Sequence, residues 1–275
     1  MLEGKTALIH GGGGAIGGTL ARAFADAGAR VYLAGRTLEK LEAVANDIGD
    51  AARVAPVDVL DERAVATHAD AVAADAGAID IAVNAVSFPY VAGTPFAEIT
   101  VDDVMHPIDA FLRSNLTIAK AVAPHMTARR AGMILTLSTA GSRFARPGNL
   151  GFGTACAAIE QLTQRLAADL GPSGVRAVCI RSHAIPDAAS NGSYTSEVFA
   201  PLAAASGISV EQLLAQWGED QTLLGRLPTL SELAHTALFL ASDGAASITG
   251  AVIDLTSGNA LRAHQFGHAL IGVLD

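Results

Sequence analysis

The sequence has few cysteines and no cluster of basic residues. Only Cys156 and Cys179 occur among 275 residues, which excludes a disulfide framework and favours a reducing, cytoplasmic setting. Lysine and arginine number 18 against 27 acidic residues, so the formal net charge is −9. Because a surface that follows a phosphate backbone needs clustered basic side chains, nucleic acid is not an expected partner.

Long hydrophobic runs are also missing. The uncharged stretch from Ile81 to Phe96 is shorter than the ~20 residues of a membrane-spanning helix, and it contains two prolines. Glu3 and Lys5 precede a glycine cluster, a pattern unlike that of a signal peptide. We therefore expect neither a membrane span nor a targeting segment.

What the sequence does contain is a high proportion of apolar residues, 51%. Short apolar runs alternate along the chain with segments of helical periodicity. Strands are predicted at 6–9, 31–34, 54–57, 79–83, 133–138, 175–180 and 251–255. Helices are predicted at 16–27, 38–48, 61–74, 100–130, 152–170 and 230–241, whereas 183–229 is less regular. The alternation predicts an α/β fold: a Rossmann-like, doubly wound parallel sheet of about seven strands, with helices on both faces, in a single domain.

A glycine-rich loop, His10–Gly17, lies between the first predicted strand and the first predicted helix. Glycines there let a diphosphate approach the unpaired N–H groups of a helix N-terminus. Gly12, Gly14 and Gly17 satisfy G-x-G-x-x-G. This match is more specific for dinucleotide binding because the motif lies between a predicted strand and a predicted helix. The alternative is a tight turn that only packs helix on strand. The loop predicts a dinucleotide site whose binding residues are Gly11, Gly12, Gly14, Ile16 and Gly17.

The end of the second strand indicates which dinucleotide binds. An acidic residue there would bind the ribose 2′-hydroxyl of NAD, whereas an arginine accommodates the 2′-phosphate of NADP. The sequence reads Gly35-Arg36-Thr37, with no acidic residue. NADP is therefore expected and NAD is less favoured; the alternative is that Arg36 is only a solvated surface charge.

With these residues in view, the chain resembles the short-chain dehydrogenase/reductase family over about 5–258. The family's Thr-Gly-x-x-x-Gly-x-Gly motif stands here as His10-Gly-Gly-Gly-Gly-Ala-Ile-Gly17. Asp58-Val59 looks like the family's adenine-contacting pair, and Asn84-Ala85-Val86-Ser87 stands at its Asn-Asn-Ala-Gly. The resemblance implies that Asp58, Val59, Asn84 and Ala85 join the cofactor site.

The same resemblance implies catalytic positions, most of which have changed. The family uses a serine, then Tyr-x-x-x-Lys on the following helix, where the tyrosine gives a proton as hydride arrives. Ser138 matches the serine, but the tyrosine position falls on Phe152 and the lysine position on Cys156. The supporting asparagine falls on Phe111, with Asn115 one helical turn later. We therefore expect an altered active site that includes Ser138, Phe152, Cys156 and Asn115.

His183 follows the sixth strand where the family has Pro-Gly, and a histidine there could act as a general acid or only bond to backbone. Residues 183–229 resemble the family's substrate lid. Tyr90 and Tyr194 could reach the active site or only contribute packing. Arg143 and Arg146 could bind an acidic substrate or only be solvated surface charges. His264 and His268 are interpreted as tail residues rather than metal ligands.

Two interpretations remain open. The favoured one is an NADP(H)-dependent oxidoreductase that transfers hydride to or from a small, partly apolar carbonyl, imine or activated C=C compound. The alternative is a non-redox enzyme, such as a lyase, isomerase or cyclase, or an inactive nucleotide-binding protein on the same fold. The family resemblance also implies a homodimer or homotetramer, and no metal is expected.

Overall fold

Seven parallel strands form the centre of the computed structural model, which describes residues 1–145, 148–191, 193 and 195–259. The strands lie in the order β3-β2-β1-β4-β5-β6-β7. Their bounds are β1 Thr6–His10, β2 Arg30–Gly35, β3 Ala52–Pro56, β4 Ile81–Asn84, β5 Gly132–Thr139, β6 Val175–Ser182 and β7 Val252–Leu255. The predicted fold class is confirmed, with each predicted strand shifted by at most two residues at either end.

The described residues also form nine α-helices. They are α1 Ala15–Asp26, α2 Leu38–Ile48, α3 Glu62–Ala76, α4 Val101–Arg129, α5 Leu150–Leu170, α6 Pro186–Ser190, α7 Thr195–Ala205, α8 Val210–Gln221 and α9 Leu230–Ala241. Capping residues explain why two of the predicted helices begin near 61 and 100. The Asp61 side chain accepts a hydrogen bond from the Ala64 N–H, and Thr100 forms a capping box with Asp103.

Burial of both sheet faces explains why the strands are apolar throughout. On one face, α1, α2 and α9 pack through side chains such as Phe24, Leu41 and Leu233. On the other face, α3, α4 and α5 pack through side chains such as Ile118 and Ile159. This packing makes the sheet a rigid base for whatever lies at the ends of its strands.

The chain order reverses between β1 and β4, which pair side by side, with His10 opposite Asn84. In open α/β sheets the crevice at such a reversal, outside the carboxyl ends of the strands, is where ligands bind. The glycine loop follows β1 and begins α1, so it lies at this crevice.

The expectation that 183–229 is irregular was wrong. Three helices, α6 to α8, occupy most of the segment. Alanine and leucine have high helix propensity, and Ser209 with Gln212 forms a capping box at the start of α8. Among the described residues, no single helix is both long and apolar enough to cross a membrane; only 196–205 and 210–221 taken together, bent by 82°, reach that length and composition.

Candidate active site

Two adjoining cavities occupy the crevice at the strand reversal. The outer groove, about 320 Å³, lies over the glycine loop and the ends of β2 and β3. The inner chamber, about 270 Å³, lies over the ends of β4, β5 and β6 and beneath α7 and α8. The two share lining residues, so one elongated ligand can extend from the groove into the chamber. The shared residues are Ile16, Ala85, Val86, Ser87 and Ser193.

Close backbone approach explains two of the glycines in the loop. Gly11 has a φ of +81°, and a Cβ there would lie 2.6 Å from the carbonyl carbon of Ala85. A Cβ on Gly17 would overlap the carbonyl oxygen of Gly11. The N-cap of α1 is Gly14, which has no side chain with which to cap the helix. The first-turn N–H groups of α1 are therefore suited to bind an anion.

Positive side chains line the outer groove where β2 ends. Arg36 and Lys40 are both exposed and both line the groove. Asp58, also exposed, accepts a hydrogen bond from the Leu60 N–H, and Val59 beside it is buried. The groove thus combines an anion-binding helix end, two cations and an apolar contact.

His10 ends β1 beneath the outer groove and is 1% exposed. Neither of its ring nitrogens has a hydrogen-bond partner in the structure, and its ring meets that of His68 edge-on, with the centroids 6.3 Å apart. Burial, and to a smaller degree the neighbouring His68, lower the pKa of His10 to about 3. His10 is therefore neutral throughout the physiological pH range.

Aromatic rings form much of the wall of the inner chamber. Tyr90 stacks on Phe152, with ring centroids 4.0 Å apart and planes within 3°. Phe111 meets Phe152 edge-on, with ring centroids 5.6 Å apart, and Trp217 of α8 packs edge-on against Phe199 of α7 at 5.0 Å. No lysine, arginine, aspartate or glutamate of the described chain lines the chamber.

A buried ionic network lies directly behind Ser138. The Glu160 carboxylate accepts hydrogen bonds from Ser138 Oγ at 2.5 Å, from Ser142 Oγ at 2.5 Å and from Arg181 at 2.6 and 2.8 Å. Arg181 also contacts Asp254 at 3.2 Å. Burial raises the pKa of Glu160, but the hydrogen bonds from Arg181, Ser138 and Ser142 outweigh it and leave that pKa below its ordinary value.

Ionisation of Glu160 determines the direction of the Ser138 hydrogen bond. An ionised carboxylate can only accept, and a serine hydroxyl has one proton to donate. Ser138 therefore donates that proton to Glu160 and offers only lone pairs to the inner chamber, which it lines.

Asn115 also presents an acceptor. Its Nδ2 donates to the Phe111 carbonyl at 2.8 Å, while its Oδ1 is buried and has no hydrogen-bond partner. Asn115 is 4% exposed and lines the inner chamber. The chamber thus has a second oxygen that a ligand N–H or O–H could satisfy.

Cys156 is a buried thiol rather than an activated nucleophile. Burial raises its pKa to about 11, and its Sγ lies 3.4 Å from Thr139 Oγ1, a hydroxyl rather than a base. A nucleophilic cysteine needs a thiolate, which a basic neighbour normally stabilises. The thiol is therefore protonated at neutral pH.

His183 lies at the end of β6 and faces Trp217, with ring centroids 6.4 Å apart. Its Nδ1 accepts a hydrogen bond from the Ala184 N–H at 2.7 Å. We assign the ring proton to Nε2 because a nitrogen that accepts from an N–H carries no hydrogen. In this tautomer the ring can donate from Nε2.

The structure brings together the catalytic candidates from the sequence. Ser138, Asn115, Phe152, Cys156 and His183 all line the inner chamber. Tyr90 lines it too, whereas Arg143 is exposed and does not. Arg146, Tyr194, His264 and His268 lie outside the described residues. Within the described chain, no group of three histidine, cysteine, aspartate or glutamate residues could hold a metal.

The cofactor candidates also gather at the crevice. The outer groove is lined by Gly11, Gly14, Ile16, Arg36, Asp58, Val59 and Ala85. Asn84 lines the inner chamber, where its Nδ2 donates a hydrogen bond to Ser114 Oγ and its Oδ1 accepts one from the Val86 N–H. Gly12 and Gly17 lie behind the groove, where they permit close packing rather than line it.

Sequence reasoning missed Glu160 and Arg181. Both are buried charges, Glu160 on α5 and Arg181 on β6, one residue beyond the strand that the sequence predicts. Two opposite charges on neighbouring buried elements are a signal for an ion pair, because an unpaired charge there would be costly. That signal was present in the sequence.

Comparison with known proteins agrees with this arrangement. A family model described as "Enoyl-(Acyl carrier protein) reductase" matches residues 13–259. Gluconate 5-dehydrogenase of Gluconobacter oxydans is 29% identical over 260 residues, which cover 94% of this chain and 95% of that protein.

Two solved structures are similar over nearly all of the fold. A gluconate 5-dehydrogenase from Burkholderia cenocepacia in complex with NADP and tartrate is 30% identical, with a TM-score of 0.79 and coverage of 93% of this chain and 95% of that one. A 3-ketoacyl-(acyl-carrier-protein) reductase from Brucella melitensis complexed with NADH is 26% identical, with a TM-score of 0.80 and coverage of 94% and 100%.

Fold, crevice and comparisons together define an NAD(P)-dependent oxidoreductase. The chain belongs to the short-chain dehydrogenase/reductase family.

Proposed function

We propose that this protein uses NADP(H) to transfer hydride to or from a small, partly apolar substrate through an altered active site. The continuity of the outer groove with the inner chamber carries this proposal, since an elongated dinucleotide can place its phosphates at the glycine loop and its reactive ring in the chamber. When bound, the nicotinamide cofactor supplies or accepts the hydride.

The preference for NADP rests on the charges at the end of β2. Arg36 and Lys40 line the groove, and no acidic residue follows β2 before α2. A 2′-phosphate gains from cations at this point, whereas NAD recognition needs a carboxylate for the 2′-hydroxyl. The similar solved structures contain either cofactor, so the proposal depends on this chain's own residues.

The altered site is our interpretation of Phe152 and Cys156. At the family's tyrosine and lysine positions, they offer neither a phenolic proton nor a cation. Ser138, with its proton engaged by Glu160, does not readily supply a proton either. We infer that the chain handles substrates whose reduction needs little acid assistance, and that 183–229 acts as a lid that keeps water from the chamber.

A fluorescence titration with NADPH and NADH tests the cofactor assignment. Loss of a hydrogen bond to a charged group typically weakens binding by about 10- to 100-fold, and we expect that loss for NADPH with Arg36→Ser. NADH binding should change little. Arg63→Ser, at an exposed position that does not line the groove, is the matched control. If neither dinucleotide binds the unaltered protein, the non-redox alternative is favoured.

We also propose a cytoplasmic homodimer or homotetramer built on the long helices. Exposed apolar side chains support this: Val101, Met105 and Leu116 on α4 and Leu150 at the start of α5. Light scattering should give two or four times the chain mass of 27.9 kDa, and a mass of one chain would contradict the proposal.

A further inference from the structure

Ser138 of β5 and Asn115 of α4 both present a hydrogen-bond acceptor to the inner chamber. Ser138 directs its only hydroxyl proton away from the chamber, to Glu160 at 2.5 Å. Asn115 uses its Nδ2 on the Phe111 carbonyl, which leaves its buried Oδ1 unpaired. A carbonyl oxygen would meet lone pairs at both residues, so this side of the chamber does not suit a ketone or aldehyde.

The same side of the chamber suits positive charge. Behind Ser138, the carboxylates of Glu160 and Asp254 flank the single cation of Arg181, so the network carries one net negative charge. The walls add aromatic rings, among them Tyr90, Phe152 and Trp217, and no lysine or arginine of the described residues lines the cavity. Aromatic faces and a nearby negative charge both attract an organic cation.

We propose that the substrate is a protonated imine, an iminium ion whose N–H donates to Ser138 Oγ or to Asn115 Oδ1, and that the product is the corresponding amine. This inference rests on the proposed function and narrows its substrate class. It relates the acceptor groups of the chamber to the replacement of the family's tyrosine by Phe152, because an iminium is already protonated when it binds.

The reaction balances without an acid. Hydride from the reduced nicotinamide adds to the iminium carbon, the carbon–nitrogen π pair moves onto nitrogen, and the positive charge is neutralised. The dinucleotide is oxidised and the iminium is reduced, and no proton is transferred in the step. Reduction of a ketone would instead leave an alkoxide that needs a proton, and Glu160 holds protons poorly at neutral pH.

Three probes of similar size separate charge from hydrogen bonding: 3,4-dihydroisoquinoline, its N-methyl iminium ion and 1-tetralone. With NADPH in excess, we expect kcat/KM for the ketone to be at least ~100-fold below that for the protonated imine, as one or two charge-assisted hydrogen bonds imply. The rate with 3,4-dihydroisoquinoline should fall as rising pH deprotonates the imine. The N-methyl ion, which has no N–H, should show no such fall.

The Ser138→Ala variant tests the acceptor role directly. It should lower kcat/KM about 10- to 100-fold for the protonated imine, but much less for the N-methyl ion. Ser142→Ala is the matched control: it removes an equally short bond to Glu160 from a residue that does not line the chamber, and it should affect both ions alike.

Several results would overturn the inference. They are equal or faster reduction of the ketone, an equal loss with both ions in Ser138→Ala, and reduction of none of the three probes by protein that binds NADPH. Failure to bind NADPH at all would instead reject the proposed function, so titration of the cofactor distinguishes the two failures.

Discussion

The ring of Tyr90 lies parallel to the ring of Phe152, with the centroids 4.0 Å apart. Tyr90 comes from the loop after β4, whereas Phe152 belongs to the first turn of α5. The stack therefore joins two separate elements across the wall of the inner chamber. A phenyl ring at position 152 keeps this contact while it removes the hydroxyl that the family resemblance implies there.

The stack predicts a binding role for the Tyr90 ring. An aromatic pair contributes about 0.5–1.5 kcal/mol beyond burial, so Tyr90→Ala should raise KM for a ring-bearing substrate roughly 3- to 10-fold. Tyr90→Phe retains the ring and should raise KM less. Steady-state kinetics of both variants provides the check. A large fall in kcat for Tyr90→Phe alone would show instead that the hydroxyl takes part in the reaction.

Both cysteines should be unreactive in the folded protein. Burial raises the pKa of Cys156 to about 11 and that of Cys179 to about 12, so neither is a thiolate at pH 8. We expect a chromogenic disulfide reagent to detect neither thiol before unfolding and both thiols in guanidinium. Rapid reaction of Cys156 in native protein would show that the chamber holds an activated nucleophile.

The ion pair between Glu160 and Arg181 should be sensitive to loss of one partner. Arg181→Met leaves a buried carboxylate and should reduce the free energy of unfolding by about 3–5 kcal/mol. The double variant Glu160→Leu/Arg181→Met removes both charges and should recover most of that loss. Urea unfolding of the single and double variants completes the cycle, and equal stabilities of the two would contradict a coupled pair.

His10 should make stability depend on pH. Its pKa is lowered from 6.5 to about 3 in the folded state, so the unfolded chain binds a proton between those values that the folded protein excludes. This contribution to stability is complete above pH 6.5 and is lost as pH falls towards 3. From pH 6.5 to 5 the loss is roughly 2 kcal/mol.

Urea unfolding at several pH values, with His10→Thr for comparison, checks this expectation. The variant should lose most of the slope below pH 6.5, although its absolute stability also changes. Part of the slope remains, because burial lowers the pKa of His68 as well. An unchanged slope in His10→Thr would show that His10 is not responsible.

Sequence patterns were sufficient for the sheet because each strand is a short apolar run between a helix and a glycine or polar end. Helices α2 and α9 have the predicted bounds: an apolar stripe and Gly49 at its C-terminal end define α2, and the capping box of Thr229 with Glu232 begins α9. The segment 183–229 was missed because its apolar positions contact the chamber and its own small cluster around Trp217, which obscures a single helical stripe.

For the candidate site, the positions of some residues could be predicted from the sequence, but their hydrogen bonding could not. Residues that follow strands, such as Ser138 and His183, could be placed because the topology of the sheet brings strand ends together. The direction of the Ser138 hydrogen bond could not be predicted. It depends on Glu160, 22 positions later in the chain, and on its ionisation beside Arg181.

The contact of Arg181 with Asp254 has a consequence for folding. Arg181 reaches Glu160 across 21 positions of the chain and Asp254 across 73, so its network forms only when α5 and the last strand are both in place. Contacts between distant positions tend to form late because they must first close a long loop. A partly folded chain without β7 would hold Arg181 incompletely paired. Orientation of Ser138 by Glu160 is thereby linked, through Arg181, to a contact that exists only in the completed sheet.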